Sequence, residues 1–233
     1  MCGRSSLTKT EKELEARFNA NFYSEDLERY NPLPNYNVAP SHITPVITNV
    51  DRKHFSAFRW GLIPFWAKDM KIGYKMINAR KETVLEKNTF KKAVSSRRCI
   101  VPFDGFYEWK KTAHGKEPYR IVTKDQEIFT VAGLWDKWTD DQGEEIYSFT
   151  LLTQPPNKTV GEIHDRMPAI LTRDQEALWL SDDLSPQQLV DMIEPYPDDQ
   201  IRAYQVSKAV NNVRNNNPEL IKPWESPEPT LFD

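Results

Sequence analysis

Cysteine is nearly absent: 233 residues hold only Cys2 and Cys99. Two thiols cannot build a disulfide framework or an all-cysteine zinc site. The four histidines, His42, His54, His114 and His164, show no ligand-pair spacing, so neither a metal nor a cofactor is expected. Glycine is scarce as well, at 8 residues, and even with 17 prolines the chain lies far below the low-complexity range. No apolar run approaches the roughly 18 residues of a membrane span, so a membrane partner is not expected. Met1–Tyr30 is studded with charge and lacks the apolar centre of a secretory signal, which makes the cytoplasm the expected compartment. What is present is 39% hydrophobic and long enough to bury one core.

The net charge of −3 on its face disfavours a nucleic-acid partner. Its distribution reverses that reading. Asp51–Arg120 holds 17 basic residues against 7 acidic ones, a net of +10, and the remainder of the chain is −13. The basic residues are dispersed (Arg59, Lys68, Lys75, Arg80, Lys91, Arg97, Lys111 among them), and aromatics such as Trp60, Trp66, Tyr74, Phe106 and Trp109 lie between them. Cations for phosphates and π faces for unstacked bases are what a single-stranded nucleic-acid groove requires. A solvated basic face over an ordinary aromatic core accounts for the same pattern.

Thr8 to Glu11 reads as a capping box, followed by Leu14, Phe18 and Phe22 at helical spacing, so a first helix is expected over 9–22. The Asn31–Pro40 passage is too proline-rich for helix. Strand-like runs then dominate: 45–50, 55–62, 75–79, 99–102, 106–110, 119–123, 128–134 and 147–153, bounded by Pro, Gly, Asp and Asn. Helical patterns fall at 89–96, 158–163, 173–180 and 186–193, and a late strand at 203–206. With no repeat and no composition break, the pattern implies one α+β domain. It would be built on a curved or closed, barrel-like, mainly antiparallel sheet flanked by helices. An irregular tail is expected to follow.

Four residues stand out chemically. A small side chain at position 2 normally allows removal of the initiator Met, which would leave Cys2 as a 1,2-aminothiol. An α-amine has a pKa near 7.7–8.0, against about 10.4 for lysine, so about a tenth is a neutral nucleophile at pH 7. Such a group can form an imine with an aldehyde and trap it through the thiol as a thiazolidine. Alternatively, the thiol can attack an acyl carbon with its own amine as base. A chance cysteine on a loose terminus is the third reading. In Met76–Arg80, strand alternation would put Met76, Asn78 and Arg80 on one face, where an amide and a guanidinium could orient a polar ligand. Glu108, inside the aromatic run Phe106–Trp109, is either a desolvated carboxyl suited to proton transfer or a surface glutamate. His164, at the exit of a helix before Pro168, can titrate near neutrality or merely cap and pack.

Several segments, in order along the chain, resemble the SRAP family of SOS-response-associated peptidases, or abasic-site-processing proteins. They are Met1–Arg4, Tyr36–Pro40, Arg59–Pro64, Ile77–Glu82, Arg98–Pro102, Phe106–Lys110, Ala132–Trp135 and Ile163–Pro168. The resemblance implies one domain over 1–224, with 225–233 as the tail, and a curved β-core carrying a basic groove for single-stranded DNA. It implies that Cys2 forms a covalent thiazolidine with abasic sites and that Asn78 positions the cysteine and the sugar. Glu108 would assist ring opening and proton transfer, and His164 would serve imine formation and crosslink reversal. Arg4, Arg80 and Arg166 match phosphate-contact positions, Asn37 and Pro40 belong to the same DNA-contact set, and Trp66 resembles an aromatic wedge against duplex. No cofactor is implied, a monomer is the default, and the location would be cytoplasmic, at the nucleoid when DNA-bound. Lyase and self-processing peptidase chemistry accompany this expectation. Two other readings are a cysteine peptidase or amidohydrolase and a non-catalytic single-strand binder.

Overall fold

The computed structural model describes residues 2–125 and 127–225. The chain opens with β1 (Ser5–Leu7), α1 (Glu11–Phe18) and β2 (Asn21–Phe22), then β3 (Asn35–Val38), β4 (Ile43–Thr48) and β5 (His54–Trp60). Next come β6 (Asn78–Arg80) and α2 (Asn88–Ser96). A run of long strands follows: β7 (Arg98–Phe103), β8 (Gly105–Thr112), β9 (Gly115–Thr123), β10 (Phe129–Thr139) and β11 (Glu145–Gln154). The remaining elements are α3 (Lys158–Gly161), β12 (Met167–Pro168), β13 (Ile170–Leu171), α4 (Arg173–Leu180), α5 (Pro186–Asp191) and β14 (Ile201–Gln205).

Two sheets organise these elements. In the first, β10, β7, β4 and β5 pair antiparallel in that order, and β11 pairs with both β10 and β5. The β11–β5 pairing, at Ser148↔Arg59 and Phe149↔Trp60, is parallel and closes a five-stranded mixed barrel. The second sheet is wholly antiparallel, in the order β14-β9-β8-β1-β3. Barrel strands are buried on both faces, so they read as continuous apolar runs rather than clean alternations. In β7, Cys99, Val101 and Phe103 join one core with Trp60, Phe106 and Phe149, while Ile100 joins another with Leu14, Phe55, Phe90 and Trp179. The expected α+β domain with a barrel-like core is the architecture found; its parallel closure is visible only once β5 and β11 meet.

Local differences have local causes. Helix α1 is capped by Thr10, not Thr8: the Thr10 side chain accepts from the Glu13 N–H, and the Glu13 carboxylate accepts from the Thr10 N–H. Thr8 instead donates its hydroxyl and backbone N–H to Asp104. Asn19, left-handed at φ 49°, ends the helix well before Phe22. Met76 closes a 3-10 turn and packs on the core, so the strand begins at Asn78 and the expected shared face reduces to Asn78 and Arg80. β1 and β3 carry little strand signal; pairing with β8 and with each other makes them strands. Among the described residues, no helix is long and apolar enough to cross a membrane. The expected tail lies outside the described residues, apart from Glu225.

Candidate active site

The start of the chain is built into the fold. β1 lies between β8 and β3, with Ser5 opposite both Phe106 and Val38. The Tyr107 N–H donates to the Arg4 carbonyl at 2.9 Å, extending the ladder toward Cys2. A buried polar cluster locks this strand. Ser6 donates to Asp104 at 2.6 Å, and Arg120 donates to Asp104 at 3.1 Å and to Ser6 at 3.0 Å. Gly105 makes room for it, because a Cβ there would stand 2.7 Å from Arg120 Nε. Cys2 is therefore fully buried, in the core that also holds Val38, Trp60 and Phe106, and the loose-terminus reading fails.

Three other segments converge on it. β6, held by parallel pairing of Asn78 and Ala79 with Leu151 and Leu152, presents Asn78, whose Nδ2 donates to the Cys2 carbonyl at 2.7 Å. β8 carries Glu108, which is 2% exposed, so the surface-glutamate reading fails as well. Burial raises its carboxyl pKa to about 7, and the negative charge of Asp165 adds to the shift. His164 Nε2 lies 3.8 Å from Glu108 Oε2. The Arg166 backbone N–H donates to His164 Nδ1 at 3.1 Å, which puts the proton of the neutral ring on Nε2, toward Glu108. Asp165 Oδ1, 3.0 Å from Nδ1, is placed to receive a proton-bearing Nδ1 in the cation. Burial lowers the His164 pKa, favouring the neutral ring at pH 7. The Cys2 thiol is pushed up by burial and by the charge of Glu108, so it is held as S–H. The arrangement sets a buried thiol beside a carboxyl with a pKa of about 7 and a neutral imidazole, and the latter two are suited to proton transfer.

A cleft of about 500 Å³ opens onto this group, lined by Glu108, Trp109, Lys111, Lys116, His164 and Asn211. Trp109 is fixed by donating Nε1 to Asn211 Oδ1 at 2.7 Å, and the Arg4 guanidinium lies 5.7 Å from its ring. Lys116 and Asn211 escape sequence reading because hairpin register and a distant loop bring them here; an excess of Lys around 110–116 was the only signal. Among the described residues, no group of three or more His, Cys, Asp or Glu is arranged to hold a metal.

The expected DNA-contact residues divide. Arg80 is exposed and sits opposite Thr153, whose carbonyl accepts from Arg166 at 2.7 Å, so the two arginines flank one residue of β11. Arg166 also makes a bidentate pair with Glu82, at 2.6 and 2.9 Å. Arg4 is half-buried, donating to Asn37 Oδ1 at 2.8 Å and to the Val210 carbonyl. Asn37 is 1% exposed, and its amide is spent on the carbonyls of Asn212 and Asn215, at 3.1 and 2.9 Å. These bonds anchor the 210–215 loop, which brings Asn211 to the cleft. Pro40 is half-buried beside the left-handed Ser41. Trp66 is 53% exposed and lines a separate cleft of about 680 Å³ with Phe65, Lys91 and Lys92.

The profile of the family described as SOS response associated peptidase (SRAP) matches residues 1–213. The abasic site processing protein YoqW of Bacillus subtilis (strain 168) is 45% identical over 225 residues, covering 95% of this chain and 99% of the relative. The abasic site processing protein HMCES of Xenopus tropicalis is 33% identical over 266 residues, covering 95% of this chain and 78% of the relative. A crystal structure of a protein from Bacteroides thetaiotaomicron superposes with a TM-score of 0.89 at 30% identity, covering 96% of this chain and all of the other. Sequence and fold thus agree along nearly the whole length, and the chain belongs to the SOS response associated peptidase family.

Proposed function

We propose that this protein captures abasic sites in single-stranded DNA as a covalent thiazolidine on Cys2. The observation that carries this reading is the convergence of Cys2, Asn78, Glu108 and His164 from four separate segments, with Glu108 and His164 lining a cleft. The relatives named as abasic site processing proteins point to the same lesion.

An abasic sugar exchanges between a closed hemiacetal and an open aldehyde, and only the aldehyde reacts. Glu108, poised near pH 7, takes the hemiacetal hydroxyl proton and delivers one to the ring oxygen as the bond between that oxygen and the anomeric carbon breaks. With Met1 removed, the Cys2 amine adds to the aldehyde carbon and forms a carbinolamine. His164 and Glu108 shuttle the protons that let its hydroxyl leave as water, giving an imine. The Cys2 sulfur then adds to the same carbon while its proton passes to nitrogen, closing the ring. One C–N and one C–S bond form, and one water departs.

Because burial holds the thiol as S–H, the amine reacts first and the sulfur closes after the carbon is activated. Asn78 fixes residue 2 against the sugar, and such placement supplies roughly 7 kcal/mol or more in well-oriented reactions. Prompt closure also competes with β-elimination from the imine, so the lesion is shielded instead of cut; slower closure would release lyase activity.

The test is a denaturing gel of mature protein with single-stranded DNA bearing one abasic site. A shifted band that is absent with Cys2→Ala supports the reading. Tight DNA binding with no shifted band overturns it in favour of a non-covalent binder, and a band that persists in Cys2→Ala overturns the thiazolidine.

A further inference from the structure

The β8–β9 hairpin contains an electrostatic anomaly. Lys110 faces Glu117 across the ladder, a complementary pair, but the next position sets Lys111 directly opposite Lys116. Directly opposed like charges destabilise a hairpin. The salt bridges found among the described residues include neither lysine. The register is not loose either, since Thr112 Oγ1 donates to the Gly115 carbonyl at 2.9 Å and Gly115 takes the turn at φ +113°.

The position of the pair gives the anomaly a use. Both lysines line the cleft that holds Glu108 and His164. Strand alternation puts Lys111 on the same face of β8 as Trp109, and Trp109 is held rigid by Asn211. Lys111 also lies close enough to His164 for its charge, secondary to burial, to favour the neutral ring. Two cations with no ion-pair partner among the described residues, beside an indole anchored by Asn211, match one backbone phosphate and its neighbouring base.

We propose that Lys111 and Lys116 together clamp one phosphodiester of single-stranded DNA immediately beside the reacting sugar. The clamp rests on the reading of this cleft as the abasic-site pocket. It sets the register of the strand, so that the sugar carrying no base stops at Cys2.

Binding is measured with a single-stranded oligonucleotide carrying tetrahydrofuran in place of the abasic sugar, which has no aldehyde and cannot crosslink. Two further oligonucleotides each replace one flanking phosphate with a neutral methylphosphonate. Wild-type protein should lose about tenfold in affinity with one of the two, and Lys111→Gln/Lys116→Gln should bind all three alike. The variant should also show a log–log salt slope shallower by about 0.7, the value for one single-strand phosphate. If the methylphosphonate costs the variant as much as wild type, the phosphate is held elsewhere and the clamp is wrong.

Thermal stability supplies an independent readout. Lys116→Glu should raise Tm while weakening binding, because it converts a repulsive pair into an attractive one. A fall in Tm assigns the lysines to the hairpin and overturns the proposal. Failure of wild type to crosslink aldehyde-bearing DNA, with the methylphosphonate coupling intact, would sink the catalytic reading and leave the clamp standing.

Discussion

Asn78 donates its side-chain amide to the carbonyl oxygen of Cys2 at 2.7 Å, across 76 positions of sequence. This bond ties the second residue of the chain to a strand that is itself registered on the barrel, through Leu151↔Asn78. Cys2 is thereby tied to the barrel through β6, and a reacting group at that position would be held in a set geometry.

Replacing that amide tests the tether. Asn78→Ala removes one hydrogen bond, worth about 1 kcal/mol of stability, and leaves β6 paired. Crosslinking should slow by about 10- to 100-fold, because a displacement of about 1 Å costs that order in an oriented reaction. Time courses of the shifted band, alongside chemical denaturation, separate the two effects.

Glu108 makes stability depend on pH with a definite sign. Its carboxyl pKa is raised from 4.5 to about 7, chiefly by burial. Below pH 4.5 the group is neutral whether the chain is folded or not. Between pH 4.5 and 7 the unfolded chain releases the proton while the folded one keeps it, so stability falls as pH rises, by about 3 kcal/mol in all. Glu108→Gln should flatten that slope, as read from urea unfolding at several pH values. The same variant should lose at least about 100-fold in crosslinking rate.

His164 should act as a neutral ring. Its lowered pKa predicts that crosslinking is sustained at pH 7 and declines on acidification, as the imidazole takes up a proton below its ordinary value of 6.5. His164→Ala should slow both formation and reversal of the crosslink, by roughly 100- to 1,000-fold, and abolish the His-dependent part of the acid limb. Rates measured from pH 5 to 8 for both proteins check this.

The cluster beneath β1 should be unforgiving of half-removal. Arg120→Met strands the Asp104 carboxylate, which is only 4% exposed, and should cost about 3–5 kcal/mol. Asp104→Asn/Arg120→Met should recover part of that loss. Because Ser6 hangs from the same pair, the single variant should also speed amide exchange along β1, measured by deuterium uptake.

Much of the strand pattern could be read ahead of the fold. β4, β5 and β7–β11 carry dense β-branched and aromatic runs, and α4 and α5 fall where their helical spacing put them. β1 and β3 could not be found, because Ser-Ser-Leu and Asn-Tyr-Asn-Val have no strong propensity and become strands only by pairing with β8 and with each other. Neither was the first helix cap, where Thr8 and Thr10 compete and Asp104, nearly a hundred residues away, settles the matter.

By itself, the sequence determined the chemistry available: an aminothiol-capable Cys2, one carboxyl among aromatics, one histidine ahead of a proline, and a basic middle hidden inside a net charge of −3. Residue type sets intrinsic reactivity, and that needs no fold. Tertiary structure decided which groups share a site and in what ionisation state. Burial moved Glu108 toward neutrality and kept the thiol protonated; pairing carried Cys2 to Asn78; hairpin register set two lysines face to face. Those outcomes depend on desolvation and on distances between residues far apart in the chain, which no local pattern encodes.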